Sequence, residues 1–204
     1  MRERVIRLLI GFHEGTEPSK TLEGIAATIA TFRIPERKWA GPVAIDTEEA
    51  DAFALLVDAR TGISAGMVEA WQYFAERQFP RVLLVQGIEL AESDFDDIVM
   101  IANRILEEFA TPYLVLHDDL GLPSGLIELM NNIVSDYSGA EIVEYLADTE
   151  LQDLVIEFKD EHSLFAEEMS HGAFAQGTVA IALPIGDLKP IGARELNRIL
   201  KSLP

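Results

Sequence analysis

Two short apolar stretches decide the fold of this chain: AFALLVD at Ala52–Asp58 and RVLLV at Arg81–Val85. Neither shows polar alternation, and this is typical of strands that are buried on both faces of a parallel sheet. Between them, apolar residues recur on one helical face: Met67, Ala70, Trp71, Phe74 and Ala75. The order strand, helix, strand predicts a βαβ unit with a right-handed crossover.

The same alternation extends toward both ends of the chain. The hydrophobic spacing predicts further strands at Val5–Gly11, Tyr113–Leu116 and Thr178–Leu183. It also predicts helices at Ser19–Thr31, Phe95–Phe109 and Ala193–Leu203. Strands that alternate with helices indicate an α/β fold, here a three-layer sandwich in which helices cover both faces of a mostly parallel sheet.

The alternation breaks between the fourth and fifth predicted strands. Apolar segments lie at 126–134 and 140–146, and a helical pattern follows over Glu150–Phe165. No Pro/Ser-rich linker or internal repeat divides the rest of the chain. We therefore predict a single domain over residues 1–204, with a small inserted subdomain at approximately 121–176.

Composition limits the classes of function. The absence of cysteine excludes disulfides, thiolate nucleophiles and cysteine-ligated metals. Sixteen basic and 35 acidic residues give a net charge of −19, which would repel a nucleic acid. No apolar run reaches the roughly 18 residues of a membrane helix, and the N-terminus lacks a signal-peptide cleavage site. These features predict a cytoplasmic protein without a membrane partner.

The loop after the first predicted strand has the context of a phosphate-binding loop. It precedes a predicted helix, and Lys20 and Thr21 stand where a phosphate-binding lysine and a magnesium-binding hydroxyl would be. Such a loop needs glycine at the positions of Ser19 and Glu14, and Glu17 adds a further negative charge. The alternative is an ordinary strand-to-helix turn that Ser19 caps.

Histidine and acidic residues offer one cluster with metal-binding chemistry, His117-Asp118-Asp119, at the end of the fourth predicted strand. The alternative is a solvated turn that the acidic pair begins. The chain has no Gly-x-Ser-x-Gly nucleophile motif. We expect neither a resident metal nor a hydrolase nucleophile.

The segment from Ala52 to Val85 resembles the GTP-binding (G) domain of elongation factor G and its ribosomal-protection relatives. The resemblance is carried by a strand that ends in Asp58-Ala59, a helix that contains Trp71, and Pro80-Arg81 before the next strand. Downstream, Thr111–Leu116 and Gly125–Leu129 resemble the strand and the start of the subdomain inserted in that factor. The resemblance implies a P-loop GTPase-like fold over nearly the whole chain.

The residues that bind and hydrolyse GTP in that family are the ones that differ here. Gln86-Gly87-Ile88-Glu89 replaces the guanine-recognition motif Asn-Lys-x-Asp, and Ile185-Gly186 replaces its Ser-Ala partner. Of the switch two motif Asp-Thr-Pro-Gly-His, only Asp46-Thr47 is left. Only Asp46–Asp51 separates Val43-Ala44-Ile45 from the strand that begins at Ala52. This segment is too short for a crossover between parallel strands, so we expect the switch two helix to be missing.

The resemblance and these departures together predict a degenerate, stand-alone G domain. In this hypothesis it is a pseudo-GTPase with an eroded nucleotide site, no catalytic residue and no resident cofactor, and it works as a protein-interaction module. The alternative is a residual nucleotide-binding protein or weak nucleotidase, in which Lys20, Thr21, Gln86 and Glu89 hold GTP or GDP with magnesium. The expected partner is another protein or a second copy of the chain. Ribosome binding is implied by the resemblance alone.

Overall fold

The computed structural model describes residues 5–41, 49–89, 94–161 and 172–204. The strands are β1 Arg7–His13, β2 Thr28–Ile34, β3 Ala52–Asp58, β4 Arg81–Gln86, β5 Phe109–Ala110, β6 Tyr113–His117, β7 Pro123–Glu128, β8 Ile133–Asp136, β9 Val143–Leu146 and β10 Ala180–Pro184. The helices are α1 Ala65–Ala75, α2 Phe95–Ile105, α3 Thr149–Glu161 and α4 Ala193–Leu200, with a 3-10 helix at Lys20–Gly24. No helix in these ranges is long and apolar enough to cross a membrane.

Six parallel strands form the main sheet in the order β2-β1-β3-β4-β10-β5. Every residue of β3 and β4 is buried, which explains why these two strands are so apolar. Helix α1 begins after Ser64, whose hydroxyl accepts a hydrogen bond from the Met67 amide. Its Phe74 ring stacks on Phe53 of β3 at a centroid distance of 4.0 Å, so α1 is fixed over the centre of the sheet.

Four antiparallel strands form a second sheet in the order β6-β7-β8-β9. One of its faces adds Tyr113, Leu126 and Tyr137 to the main hydrophobic core. The other face packs Ile127 and Val134 against α3, in a separate small core. The sheet thus lies between the main sheet and α3, and the chain is an α/β protein with a parallel and an antiparallel sheet.

The predicted first helix, Ser19–Thr31, is wrong. The chain forms only the short 3-10 helix there and then β2, which pairs in parallel with β1. The β-branched residues Thr28, Ile29 and Thr31 favour a strand, and this preference prevails over the helical spacing of the apolar residues.

Two further predictions need correction at the far edge of the main sheet. Tyr113–Leu116 belongs to β6 of the antiparallel sheet and is not the fourth core strand. Helix α2 ends at Ile105, and Phe109–Ala110 forms the edge strand β5 instead of the end of that helix. The antiparallel sheet therefore lies in the chain between β5 and β10, and its first strand begins before residue 121.

The region between β2 and β3 has no helix in its described residues, 35–41 and 49–51. The predicted remnant of switch two, Asp46-Thr47, and the short lead-in before it fall in 42–48, outside the described residues.

Candidate functional site

The carboxyl ends of four neighbouring parallel strands, β1, β3, β4 and β10, meet at one edge of the main sheet. Ligands of open α/β sheets bind outside this edge. The ends of these strands and the loops that follow them bring three of the four predicted site residues into one hydrogen-bonded network.

Gln86 ends β4 and is 1% exposed. Its side-chain oxygen accepts a hydrogen bond from the Ser19 amide at 3.0 Å. Its side-chain nitrogen donates to the Glu17 carbonyl at 2.9 Å and to Asp58 Oδ2 at 3.4 Å. The amide of Gln86 therefore fastens the loop after β1 onto the ends of β3 and β4.

The loop after β10 holds the same segment from the other side. The Ser19 hydroxyl donates to the Gly186 carbonyl at 2.7 Å, and the Thr21 hydroxyl donates to the Lys189 carbonyl at 3.4 Å. Lys20 lies between these two residues and is exposed. The predicted pair is thus split, because Thr21 belongs to the network and Lys20 faces solvent.

The loop after β1 does not lead into an α-helix. A phosphate-binding loop depends on the unpaired amides and the dipole of an α-helix N-terminus. Here the helix is a 3-10 helix of five residues, and the Ser19 hydroxyl already accepts from the Thr21 amide at 3.2 Å. This geometry favours the capped turn over the phosphate loop.

Glu89 is 8% exposed and caps the loop after β10. Its Oε1 atom accepts hydrogen bonds from the amides of Asp187 and Leu188, at 2.6 and 2.9 Å. A Cβ atom at Gly186 would lie 2.9 Å from that oxygen and 2.2 Å from the Lys189 carbonyl oxygen, so only glycine fits there. Oε1 is therefore bound by its own chain, whereas Oε2 is buried without a hydrogen-bond partner among the described residues.

Two aspartates of this edge have pKa values that shift in opposite directions. Burial raises the pKa of Asp58, but hydrogen bonds from Arg60 and Gln86 outweigh it, and the pKa lies below its ordinary value. Arg60 Nε donates to Asp58 Oδ1 at 2.7 Å. Desolvation, together with the negative charges of Glu89 and Asp58, raises the pKa of Asp187. The negative charges of Asp58, Asp187 and Glu89 would therefore repel an anion at this edge.

The His117-Asp118-Asp119 cluster forms a turn. Asp118 Oδ1 accepts from the amides of Leu120 and Leu122, at 2.9 and 3.0 Å, and both bonds lower the pKa of Asp118. Within the described ranges, no group of three or more His, Cys, Asp or Glu side chains is placed to hold a metal ion.

One buried polar pair escaped sequence reasoning. Glu195 of α4 is fully buried, and both of its carboxylate oxygens lie within hydrogen-bond distance of the Tyr137 hydroxyl, at 2.8 and 2.7 Å. The sequence could have indicated its burial, because Glu195 lies one turn before Ile199, on the apolar side of the last helix. The pair joins the antiparallel sheet to α4.

Comparison with known proteins supports the architecture. No known protein family matches the chain, and no curated protein matches it. The chain is similar in structure to a crystal structure of a protein from Thermus thermophilus, with a TM-score of 0.66 and 17% sequence identity. The match covers 98% of this chain and 40% of that chain, so the chain spans less than half of the length of the Thermus protein. At this identity the likeness shows a shared fold.

Proposed function

We propose that this chain is a degenerate relative of the elongation factor G-type GTP-binding domain, which has given up nucleotide binding and works as a protein-interaction module. One observation carries the proposal: Gln86 and Glu89, at the positions that match the guanine-recognition motif, bind the protein's own loops. The P-loop GTPase-like character of the fold is part of the same proposal.

The hydrogen bonds of this network compete with any nucleotide. A guanine base would need the carboxylate of Glu89, whose Oε1 already accepts two backbone amides and whose Oε2 is buried. Phosphates would need backbone amides of the first loop, and the Ser19 amide is bound to Gln86. Each intramolecular hydrogen bond that a ligand displaces without replacement costs about 0.5–1.5 kcal/mol. Several such losses leave little net affinity.

Calorimetric titration of GDP, GTP and ATP with magnesium tests the proposal. We expect no binding heat at about millimolar nucleotide and no thermal protection, although a ligand at 100 times its Kd would add about 2.7 kcal/mol of stability. Glu89→Ala tests the role of the network, and Glu157→Ala, at an exposed acid of α3, is its matched control. Micromolar binding that Glu89→Ala abolishes and Glu157→Ala preserves would overturn the proposal in favour of a residual nucleotide-binding protein.

A further inference from the structure

The outer edge of the antiparallel sheet is formed by β9, with the sequence VEYL. Among the described residues, β9 pairs with β8 alone. Val143, Tyr145 and Leu146 are 56%, 43% and 67% exposed. Edge strands are commonly protected from further pairing by lysine, proline or a β-bulge. β9 has only four residues and one charged side chain, Glu144, which is paired with Arg194 and Arg198. It has no lysine or proline and its register with β8 is regular, so within the described residues its backbone edge is open to another strand.

The hydrogen-bond pattern identifies the backbone groups that this edge presents. The Ala147 amide donates to the Asn132 carbonyl at 2.8 Å, which sets the phase of the ladder. Bonded and non-bonded pairs alternate in an antiparallel ladder. Tyr145 therefore bonds to β8, whereas Glu144 and Leu146 direct their N–H and C=O groups to the open edge.

The segment of chain that contains β9 carries acidic charge only, although α4 brings two arginines to it. The segment 138–158 contains no Lys or Arg and has these exposed acids: Glu141, Glu144, Asp148, Glu150, Asp153 and Glu157. Only the Glu144 carboxylate has ion-pair partners among the described residues of this set, Arg194 and Arg198 of α4. An extended segment that pairs with β9 would therefore be favoured by Lys or Arg side chains.

We propose that β9 is a docking edge for an extended segment of a partner protein in which apolar residues alternate with Lys or Arg. The segment adds to the sheet as a fifth strand: its backbone pairs with Glu144 and Leu146, and its cations face the surrounding acids. A second copy of this chain fits less well, because it would bring the same acidic edge and a net charge of −19. The inference rests on the interaction role proposed above and names its surface.

Fluorescence anisotropy with labelled peptides tests the docking edge on the full chain. The probe is an eight-residue peptide of alternating Val and Lys. One control alternates Val and Glu, and a second is the Val/Lys peptide N-methylated at every other residue, which removes pairing donors. We expect the Val/Lys peptide to bind at least about tenfold more tightly than either control, with affinity that falls as salt rises.

Variants at the edge locate the binding. Leu146→Pro removes an outward N–H and leaves the ladder to β8 intact, and Leu146→Lys places a like charge before the probe. Both should weaken the Val/Lys peptide at least about tenfold, while Leu120→Lys, at an 81% exposed leucine of a distant turn, should not. Circular dichroism confirms that each variant is folded.

Three results would overturn the inference: equal binding of the N-methylated or Val/Glu peptide, no binding of any peptide at about 1 mM, or binding that both Leu146 variants preserve. A dimer, detected by sedimentation, that Leu146→Lys dissociates would assign the edge to a second copy instead. Nucleotide titration reports on a different edge of the molecule, so the two proposals fail separately.

Discussion

The glycine after Gln86 shows at the scale of one residue how this edge differs from the guanine-recognition motif of the family that the sequence resembles. Gly87 stands where the resembling family has lysine, and it adopts a φ of +78°. A Cβ atom there would lie 3.0 Å from Asp58 Oδ1. The backbone after β4 thus favours glycine, and a lysine at this position would be strained.

We therefore expect Gly87→Lys to lower the free energy of unfolding by about 1–2 kcal/mol, the cost of a left-handed non-glycine residue, and to confer no GDP binding. Urea unfolding and calorimetry measure the two effects. Gly121→Lys is the matched control for the backbone cost, because Gly121 has a φ of +77° with nothing within 4 Å of its Cβ position; a larger loss at Gly87 than at Gly121 reports the contact with Asp58. Micromolar GDP binding by the Gly87 variant would contradict the expectation.

The two aspartates of the same edge should respond oppositely to pH. The lowered pKa of Asp58 means that its carboxylate stabilises the fold above the ordinary value of 3.8, and that this stabilisation is lost as pH falls through the lower folded pKa. The raised pKa of Asp187 means that its ionisation opposes folding above that raised pKa, and that protonation relieves this as pH falls.

Asp58→Asn should consequently destabilise the protein at about pH 7 and have less effect at about pH 3. Asp187→Asn should stabilise it at about pH 7, with a gain that shrinks toward pH 4. Urea unfolding of both variants and the parent across this range measures the differences. Effects of the same sign for the two substitutions at pH 7 would show that hydrogen bonding, and not charge, dominates at one of the sites.

At the scale of elements, the contact between Tyr137 and Glu195 joins the antiparallel sheet to α4. Tyr137→Phe would leave the fully buried Glu195 carboxylate without this donor, and we expect a loss of about 1–3 kcal/mol. Tyr73→Phe, in the partly buried aromatic cluster on α1, is the control and should have a smaller effect. If the loss is electrostatic, Glu195→Gln will recover part of it in the Tyr137→Phe background. If the effects of Tyr137→Phe and Glu195→Gln on the free energy of unfolding are additive, the two side chains are not energetically coupled.

Strands that are buried on both faces, and helices that bury one clear face, could be predicted from sequence. β3, α1, β4, β10 and α4 lie close to their predicted positions, because complete burial of a strand leaves an uninterrupted apolar run and one-sided burial of a helix leaves a clear apolar face. The segment after Ser19 could not, because Leu22 and Ile25 are buried at helical spacing while the chain continues into an exposed edge strand. The two-residue strand β5 is too short to show any periodicity.

The candidate site was predictable only in part. Gln86 and Glu89 could be identified because they lie at the end of a buried strand and match the motif of the family that the sequence resembles. Their partners did not, because Ser19 and Asp187 are separated from them by long stretches of chain and meet them only through the order of the parallel strands. Hydrogen bonds between loops depend on this topology and leave no periodic signal in the sequence.

The chain has a net charge of −19, and most acidic side chains of the described residues lie at the surface, so self-repulsion of this charge opposes the compact state. Salt shortens the screening length from about 10 Å at 0.1 M to about 3 Å at 1 M. The free energy of unfolding should therefore rise with sodium chloride over this range, as measured by urea unfolding at constant pH. Lys20→Gln, which makes the net charge more negative at an exposed position, should steepen the dependence. Asp153→Asn with Glu157→Gln, at exposed positions of α3, should flatten it. Equal slopes for the three proteins would mean that salt acts through apolar burial instead of through charge.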